Sequence, residues 1–243
     1  MNRPPIEGFK QYTDARIAMG RAGGSIITAD WLDFKMAHAQ ARDAVHAAFD
    51  AAGVIGSLRA LGQDILQVKS RVNSREQYLQ RPDLARRLDD QSTITLENNK
   101  QLYDVVFIVA DGLSAAAAHM HATKLLQQVL PALRQHAWRV APMVVARFAR
   151  VALQDEIGAL MGARIAVILL GERPGLSSPD SLAAYLVHNP RISNTDAQRN
   201  CISNIRHAGL NYQCAADTLV RLLTQVKLKG VSGVVLKDDR PVV

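Results

Sequence analysis

Three short stretches collect the side chains best suited to chemistry. GERPGLSSPDS, Gly171 to Ser181, brings two acids, one base, three serines, two glycines and two prolines directly after RIAVILL, a run in which only Arg164 is polar. ADGLS, Ala110 to Ser114, follows a second apolar run, and RNCISNIR, Arg199 to Arg206, carries Cys201, Ser203 and Asn204. Their composition suits recognition more than bond breaking. Gly171 and Gly175 let backbone N–H groups turn toward a ligand, Pro174 and Pro179 limit loop entropy, and the serines offer short hydroxyls. The plainer reading of GERPG is a tight turn with Glu172 and Arg173 paired in solvent, and of Asp111 and Ser114 a helix cap.

Familiar catalytic fingerprints are missing from the chain. It contains no Gly-x-Gly-x-x-Gly, no Gly-x-x-x-x-Gly-Lys-Ser/Thr and no His-Glu-x-x-His. His119 and His121 stand two apart, on different faces of a helix, and read as ordinary helix residues. His38 and His46 share one side of a long helix, a packing or interface pattern. No Gly-x-Ser-x-Gly elbow surrounds Ser114 and no histidine pairs evidently with Cys201, so nucleophilic catalysis gains little support.

The elements that must position these stretches follow from hydrophobic period. Gln11 to about Asp90 reads as helical. Within it DWLDFKMAHAQARDAVHAAFDAAG spaces apolar residues by three, four and seven, with Thr28 or Asp30 as N-cap and Gly53 as the stop. Gly20, Gly23 and Gly24 precede this helix in a turn, and a further helix restarts near Pro82. After Asn99 the texture changes. Tyr103 to Ala110 reads as a buried strand, followed by an alanine-rich helix. A strand in RVAPMVVARFARV, a helix closed by Gly162, the strand RIAVILL, a segment over Ser181 to Val187 that suits a strand better than the short helix it also allows, and a helix over Cys214 to Gly230 come next. Near-continuous apolar strands alternating with helices predict an α/β fold with a parallel sheet buried on both faces. In such a sheet ligands bind beyond the carboxyl ends of the strands, where ADGLS and GERPGLSSPDS both fall. The expected organisation is a helical amino-terminal region, 1–95, and a Rossmann-like α/β domain, 96–243.

Composition bounds the rest. The chain has 243 residues, 48% hydrophobic, enough for a packed core, and no apolar run approaches the roughly 20 residues of a membrane span. The start lacks the order of a secretory signal. Cys201 and Cys214 match neither a zinc nor a redox spacing, so thiols in a cytoplasmic setting are expected. A net charge of +7 attracts anionic ligands, nucleic acid or an acidic partner without choosing among them. The arginine-rich segment Lys69 to Asp90 interleaves acids and holds one aromatic, Tyr78, a poor platform for nucleic acid.

Four stretches together carry a family resemblance: DARIAMGRAGGS with DFKMAHAQARDAVH, then VADGLSA, then DEIGALMGARIAVILLGERPGLSSPDSL, then RNCISNIR. In this order, over about Tyr12 to Asp238, they resemble the small, or light, subunit of ethanolamine ammonia-lyase. That resemblance implies a heteromeric lyase that converts ethanolamine to acetaldehyde and ammonia with adenosylcobalamin. A large subunit would hold the substrate and acid–base groups, and this chain, inactive alone, would help to bind the cofactor at the interface. Family members keep the cofactor's own base on cobalt, and this chain accordingly lacks Asp-x-His-x-x-Gly.

Carried over residue by residue, the family's cofactor contacts fall on Val151, Glu172 and Cys201. Val151 would pack or offer its backbone, Glu172 would accept hydrogen bonds from amide or ribose donors, and Cys201 would touch the nucleotide tail without a thiolate on cobalt. Arg173 would balance charge beside Glu172, while Asp111, Ser114, Ser203 and Asn204 are neighbours chosen by position. The glycine turn at Gly20 to Gly24 and the helix Asp30 to Asp50 are the expected contacts to the large subunit. The segment before Tyr12 is short beside the extension some members carry, which leaves both free cytoplasm and a bacterial microcompartment open. The competing expectation is a stand-alone nucleotide- or anion-binding α/β module without lyase activity.

Overall fold

The structure, a computed structural model, describes residues 5–13, 15–17 and 19–236. A 3-10 helix, Pro5–Tyr12, comes first, then a hairpin of β1 (Arg21–Ala22) and β2 (Ser25–Ile26) that turns through Gly23 at φ +64°. Helices α1 (Thr28–His46) and α2 (Ala51–Arg59) follow, then strand β3 (Ile65–Lys69), α3 (Arg75–Gln80) and α4 (Asp90–Glu97). The remaining elements are β4 (Tyr103–Ala110), α5 (Ala115–Gln135), β5 (Met143–Arg147), α6 (Leu153–Met161), β6 (Ala163–Gly171), β7 (Leu182–His188), β8 (Arg199–Ile205) and α7 (Tyr212–Lys229).

Six strands form one sheet in the order β3-β5-β4-β6-β7-β8. The first four are parallel, and β7 runs antiparallel to both β6 and β8, so the sheet is mixed where the sequence pattern predicts a parallel one. Loop length gives the reason. Only residues 172–181 separate β6 from β7, and they contain no helix, whereas a parallel return needs a crossover of a dozen residues or more.

Side chains alternate across the pleat to make two cores. Val105, Phe107 and Val109 of β4 pack with α2, α5 and α7, while Val106, Ile108 and Ala110 pack with α4 and α6. All six are fully buried, as a central strand with helices on both faces requires. From β4 the chain passes through α5 to β5 on one side, and from β5 through α6 back across β4 to β6 on the other. The strand order therefore switches at β4, and such sheets place their ligands beyond the carboxyl ends of the strands at this point.

The amino-terminal region departs from its all-helical expectation. Strand β3, from inside it, pairs along β5 from Ile65↔Met143 to Lys69↔Arg147. The long helix also ends earlier than Gly53. It stops at His46, and Asp50 starts α2 by accepting the backbone N–H of Gly53 at 2.9 Å, a local cap that outweighs the continuing apolar period. Neither Thr28 nor Asp30 caps α1. Ile27 occupies that position, and Asp30 instead accepts the N–H of Gly20 at 3.1 Å. Pro82 falls between α3 and a short 3-10 turn, Leu84–Arg86, and no α-helix begins on it.

Candidate functional site

Asp111 and Ser114 lie just past the carboxyl end of β4. Asp111 is 1% exposed and accepts backbone N–H groups from Phe148 at 3.0 Å, Ala149 at 3.1 Å and Gly112 at 3.1 Å. It thus ties the end of β4 to the turn after β5. Burial pushes its carboxyl up to about 6, against the pull of those three donors and Arg75. The sequence reading allowed Asp111 as a cap of α5, but that position belongs to Ser114, which accepts from Ala117 at 3.4 Å. The Ser114 hydroxyl also donates to the carbonyl of Pro179 at 2.9 Å, pinning the far end of the loop 172–181. Both residues tie neighbouring segments together at the strand ends. Gly112, at φ +57°, and Gly171 lie where the two strand ends cross at backbone contact, so a Cβ on either would overlap the other segment.

Above this floor stands Glu172. Its N–H donates to the Ser181 carbonyl at 2.9 Å, and its Oε2 accepts both the Ser181 hydroxyl, in a short bond, and the backbone N–H of Asn204 at 2.9 Å. Glu172 is therefore bound to β8 and is no partner of Arg173 on a solvent turn. Among the described residues Oε1 has no hydrogen-bond partner, and the side chain remains partly exposed. Asn204 sits at φ +60°, its side-chain oxygen accepting from Arg206 at 2.8 Å and its carbonyl from Leu210 N–H at 2.8 Å. Gly175 and Ser178 exchange backbone hydrogen bonds of 3.1 and 3.2 Å, which fold the loop's tip into a tight turn.

Cys201 lies opposite Tyr185 in the β7–β8 register, with the phenol hydroxyl directed as donor toward its sulfur. Burial raises both pKa values, and the Glu172 carboxylate raises them further. Glu172, Ser181, Asn204, Tyr185 and Cys201 thus form one cluster, flanked by the exposed residues Arg173 and Ser203. Val151 stands apart from it, at the start of α6 in a cleft of about 600 Å³ shared with Arg150, Ile192 and Arg199. The connection between the two is Arg199, two residues before Cys201. Its buried guanidinium pairs closely with Asp155 of α6 and lies 2.6 Å from Asp196.

Three members were not singled out in the sequence. Tyr185 is the one aromatic in LAAYLVH, which the strand's period places on the same face as Cys201 once β8 is known. Asp155 and Arg199 have no local signal, because their pairing joins α6 to β8 across 44 residues. His121, read as an ordinary helix residue, is buried between α7 and the loop 172–181, with Nδ1 2.8 Å from the Tyr212 hydroxyl and Nε2 3.5 Å from the Asp180 carboxylate. His119 is exposed. Among the described residues no group of three or more His, Cys, Asp or Glu side chains could hold a metal ion, and no helix is long and apolar enough to cross a membrane.

The family model "Ethanolamine ammonia-lyase light chain (EutC)" matches residues 3–237. A Pseudomonas putida (strain GB-1) protein named ethanolamine ammonia-lyase small subunit is 48% identical over 242 residues, covering 98% of this chain and 89% of its own length. A namesake from Ralstonia nicotianae is 48% identical over 238 residues, with 96% and 88% covered, and one from Xanthomonas campestris pv. campestris is 48% identical over 247 residues, with 98% and 91% covered. The chain belongs to the ethanolamine ammonia-lyase light-chain family, and is a subunit of a lyase that acts as part of a complex.

Proposed function

We propose that this chain forms one wall of an adenosylcobalamin site in a two-subunit enzyme that converts ethanolamine to acetaldehyde and ammonia, the large subunit holding the substrate and the acid–base groups. The observation that carries this reading is the Glu172 carboxylate, fixed through Oε2 by Ser181 and Asn204 while Oε1 is left to accept. A carboxylate held in this way suits a large ligand rich in amide and hydroxyl donors. The separate cleft of about 600 Å³ beside Val151 falls in the range of organic-ligand sites.

The cofactor, once bound, supplies the carbon–cobalt bond whose homolysis begins radical chemistry. This chain's own residues bind and orient. Glu172 accepts from an amide or ribose hydroxyl, Cys201 and Tyr185 present a protonated, neutral surface to the nucleotide tail, and Val151 adds an apolar contact. Arg173, Ser203 and Asn204 border the ligand, while Asp111 and Ser114 act from beneath by fixing the strand ends.

The amino-terminal 95 residues supply the surface toward the large subunit, and residues 96–243 the surface toward the cofactor. Helix α1 supports this division, since only Ala37 of its 19 residues is buried. Trp31, Leu32 and Met36 on α1, with Ile26 of the glycine hairpin, are 44 to 63% exposed, an apolar surface that a partner would cover. Two free thiols suit a reducing cytoplasm, free or inside a microcompartment.

The test is direct. The purified chain alone should release no ammonia from ethanolamine, and addition of the large subunit with adenosylcobalamin should give turnover. Ammonia release by the chain alone, or a complex that takes up no cobalamin, would overturn the reading.

A further inference from the structure

Arg75, in the first turn of α3, joins three segments. Its Nε donates to the carbonyl of Val45 at the end of α1, at 2.7 Å. Its two terminal nitrogens donate to the carbonyls of Gly112 at 2.8 Å and Leu113 at 3.0 Å, beside the Asp111 carboxylate at 3.8 Å. The guanidinium stacks over the Tyr78 ring, 4.7 Å from its centroid, which holds the plane in place. One hydrogen bond further on, the N–H of Leu113 donates to the carbonyl of Gly171 at 2.9 Å, and the next residue is Glu172.

Helix α1 has little other hold on the body of the protein. Among the described residues the Arg75 bond is the only side-chain hydrogen bond from α1 to any residue beyond α2, and α1 packs chiefly against α5. A planar fork is needed here, since one point charge cannot reach three carbonyls in two separate segments.

We propose that Arg75 is a positioning residue that couples the partner face on α1 to the cofactor face at Glu172, so that ordering one orders the other. This rests on the function proposed above, and the coupling is intrinsic to the light chain. Ligand binding at either end then restricts the same two-ended strut, which makes the two binding events mutually favourable.

The experiment uses the full chain assembled with its large subunit, as wild type, Arg75→Lys and Arg75→Gln. Three readouts are compared: cobalamin absorbance titration, turnover at saturating cofactor, and hydrogen exchange of residues 28–46, 111–114 and 171–173. In both variants the cofactor dissociation constant should rise by about tenfold, turnover at saturation should stay within about twofold, and the three segments should exchange faster together. Unchanged cofactor affinity, or faster exchange spread over the whole sheet, overturns the coupling while leaving the proposed function standing. Failure of the wild-type complex to take up cobalamin overturns both. If Arg75→Gln fails to fold, Arg75→Lys decides, because it keeps the charge and the stem and loses the fork.

Discussion

The backbone N–H of Asn204 donates to Oε2 of Glu172 at 2.9 Å, joining the loop after β6 to the end of β8 across 32 residues. Together with the Ser181 hydroxyl it holds the carboxylate in one rotamer, so Oε1 meets a ligand without first losing side-chain entropy. Glu172→Ala should weaken cofactor affinity in the assembled complex by roughly 10- to 100-fold, the worth of one hydrogen bond to a charged group. Glu172→Gln should fall between the two. Cobalamin titration alongside a urea unfolding curve separates binding from folding, and equal losses in both would assign Glu172 a structural role only.

Cys201 reports on the same carboxylate. Burial lifts its thiol above the ordinary value, Glu172 lifts it further, and the hydrogen bond from Tyr185 opposes them. The thiolate is the reactive form, so a raised pKa means slower alkylation at any pH below it. Removing the negative charge in Glu172→Gln should therefore speed alkylation of Cys201 at pH 8, and Tyr185→Phe should slow it. Iodoacetamide labelling followed by mass spectrometry across pH 7 to 10 measures both. Shifts of the same sign in the two variants would contradict the cluster.

Much of this arrangement is legible in the sequence wherever burial is continuous. YDVVFIVA announces β4 over its observed bounds, and SLAAYLV, which also allowed a short helix, falls on β7 shifted by one residue at each end. Strand β8 is less visible. In RNCISNI only Arg199, Ile202 and Ile205 are buried, so the apolar signal of an edge strand is thin. Strand β3 is hidden in the same way, as ILQVK inside a helical stretch with one fully buried member, Val68. The candidate loops could be placed at strand ends from period alone, yet the Glu172–Asn204 contact could not, since a backbone N–H has no residue signature. Family resemblance chose Glu172, whose carboxylate is fixed by Ser181 and Asn204, while Asp111, chosen by position, is buried and accepts three backbone N–H groups.

The placement of β3 sets different limits on truncation from those expected of two separable regions. Removing residues before Ala51 deletes α1 and the hairpin, which bury little. That chain should stay folded, with near-native far-UV circular dichroism per residue, and lose affinity for the large subunit. Removing everything before Asp90 also strips β3 from β5 and deletes Tyr78, whose buried hydroxyl donates to Ala149 at 3.2 Å. It exposes a hydrogen-bonding edge along Met143–Arg147, an aggregation hazard. The shorter fragment should be insoluble or molten, and a soluble, cooperatively folding 90–243 fragment would show that β3 is dispensable.

The Asp155–Arg199 pair fixes the other end of the site. Both side chains are buried, Arg199 also donates to the Asn194 carbonyl at 3.2 Å, and the pair binds the start of β8 to α6 beside Val151. Arg199→Ala would leave Asp155 charged and unpaired in an apolar setting, a loss of about 3 to 5 kcal/mol in unfolding free energy. Replacing both partners by apolar residues of similar volume, as in Asp155→Leu with Arg199→Met, should recover much of that, because the desolvation cost of both charges disappears. Position need not recover with stability. Cys201 is two residues from Arg199, and among the described residues β8 is the edge strand of the sheet, with β7 as its one ladder partner, so its register is weakly specified. The double variant should therefore unfold at nearly the wild-type urea midpoint yet bind cobalamin more weakly in the assembled complex. Full recovery of cofactor affinity would mean that apolar packing alone positions β8 and that the ion pair adds nothing to the site.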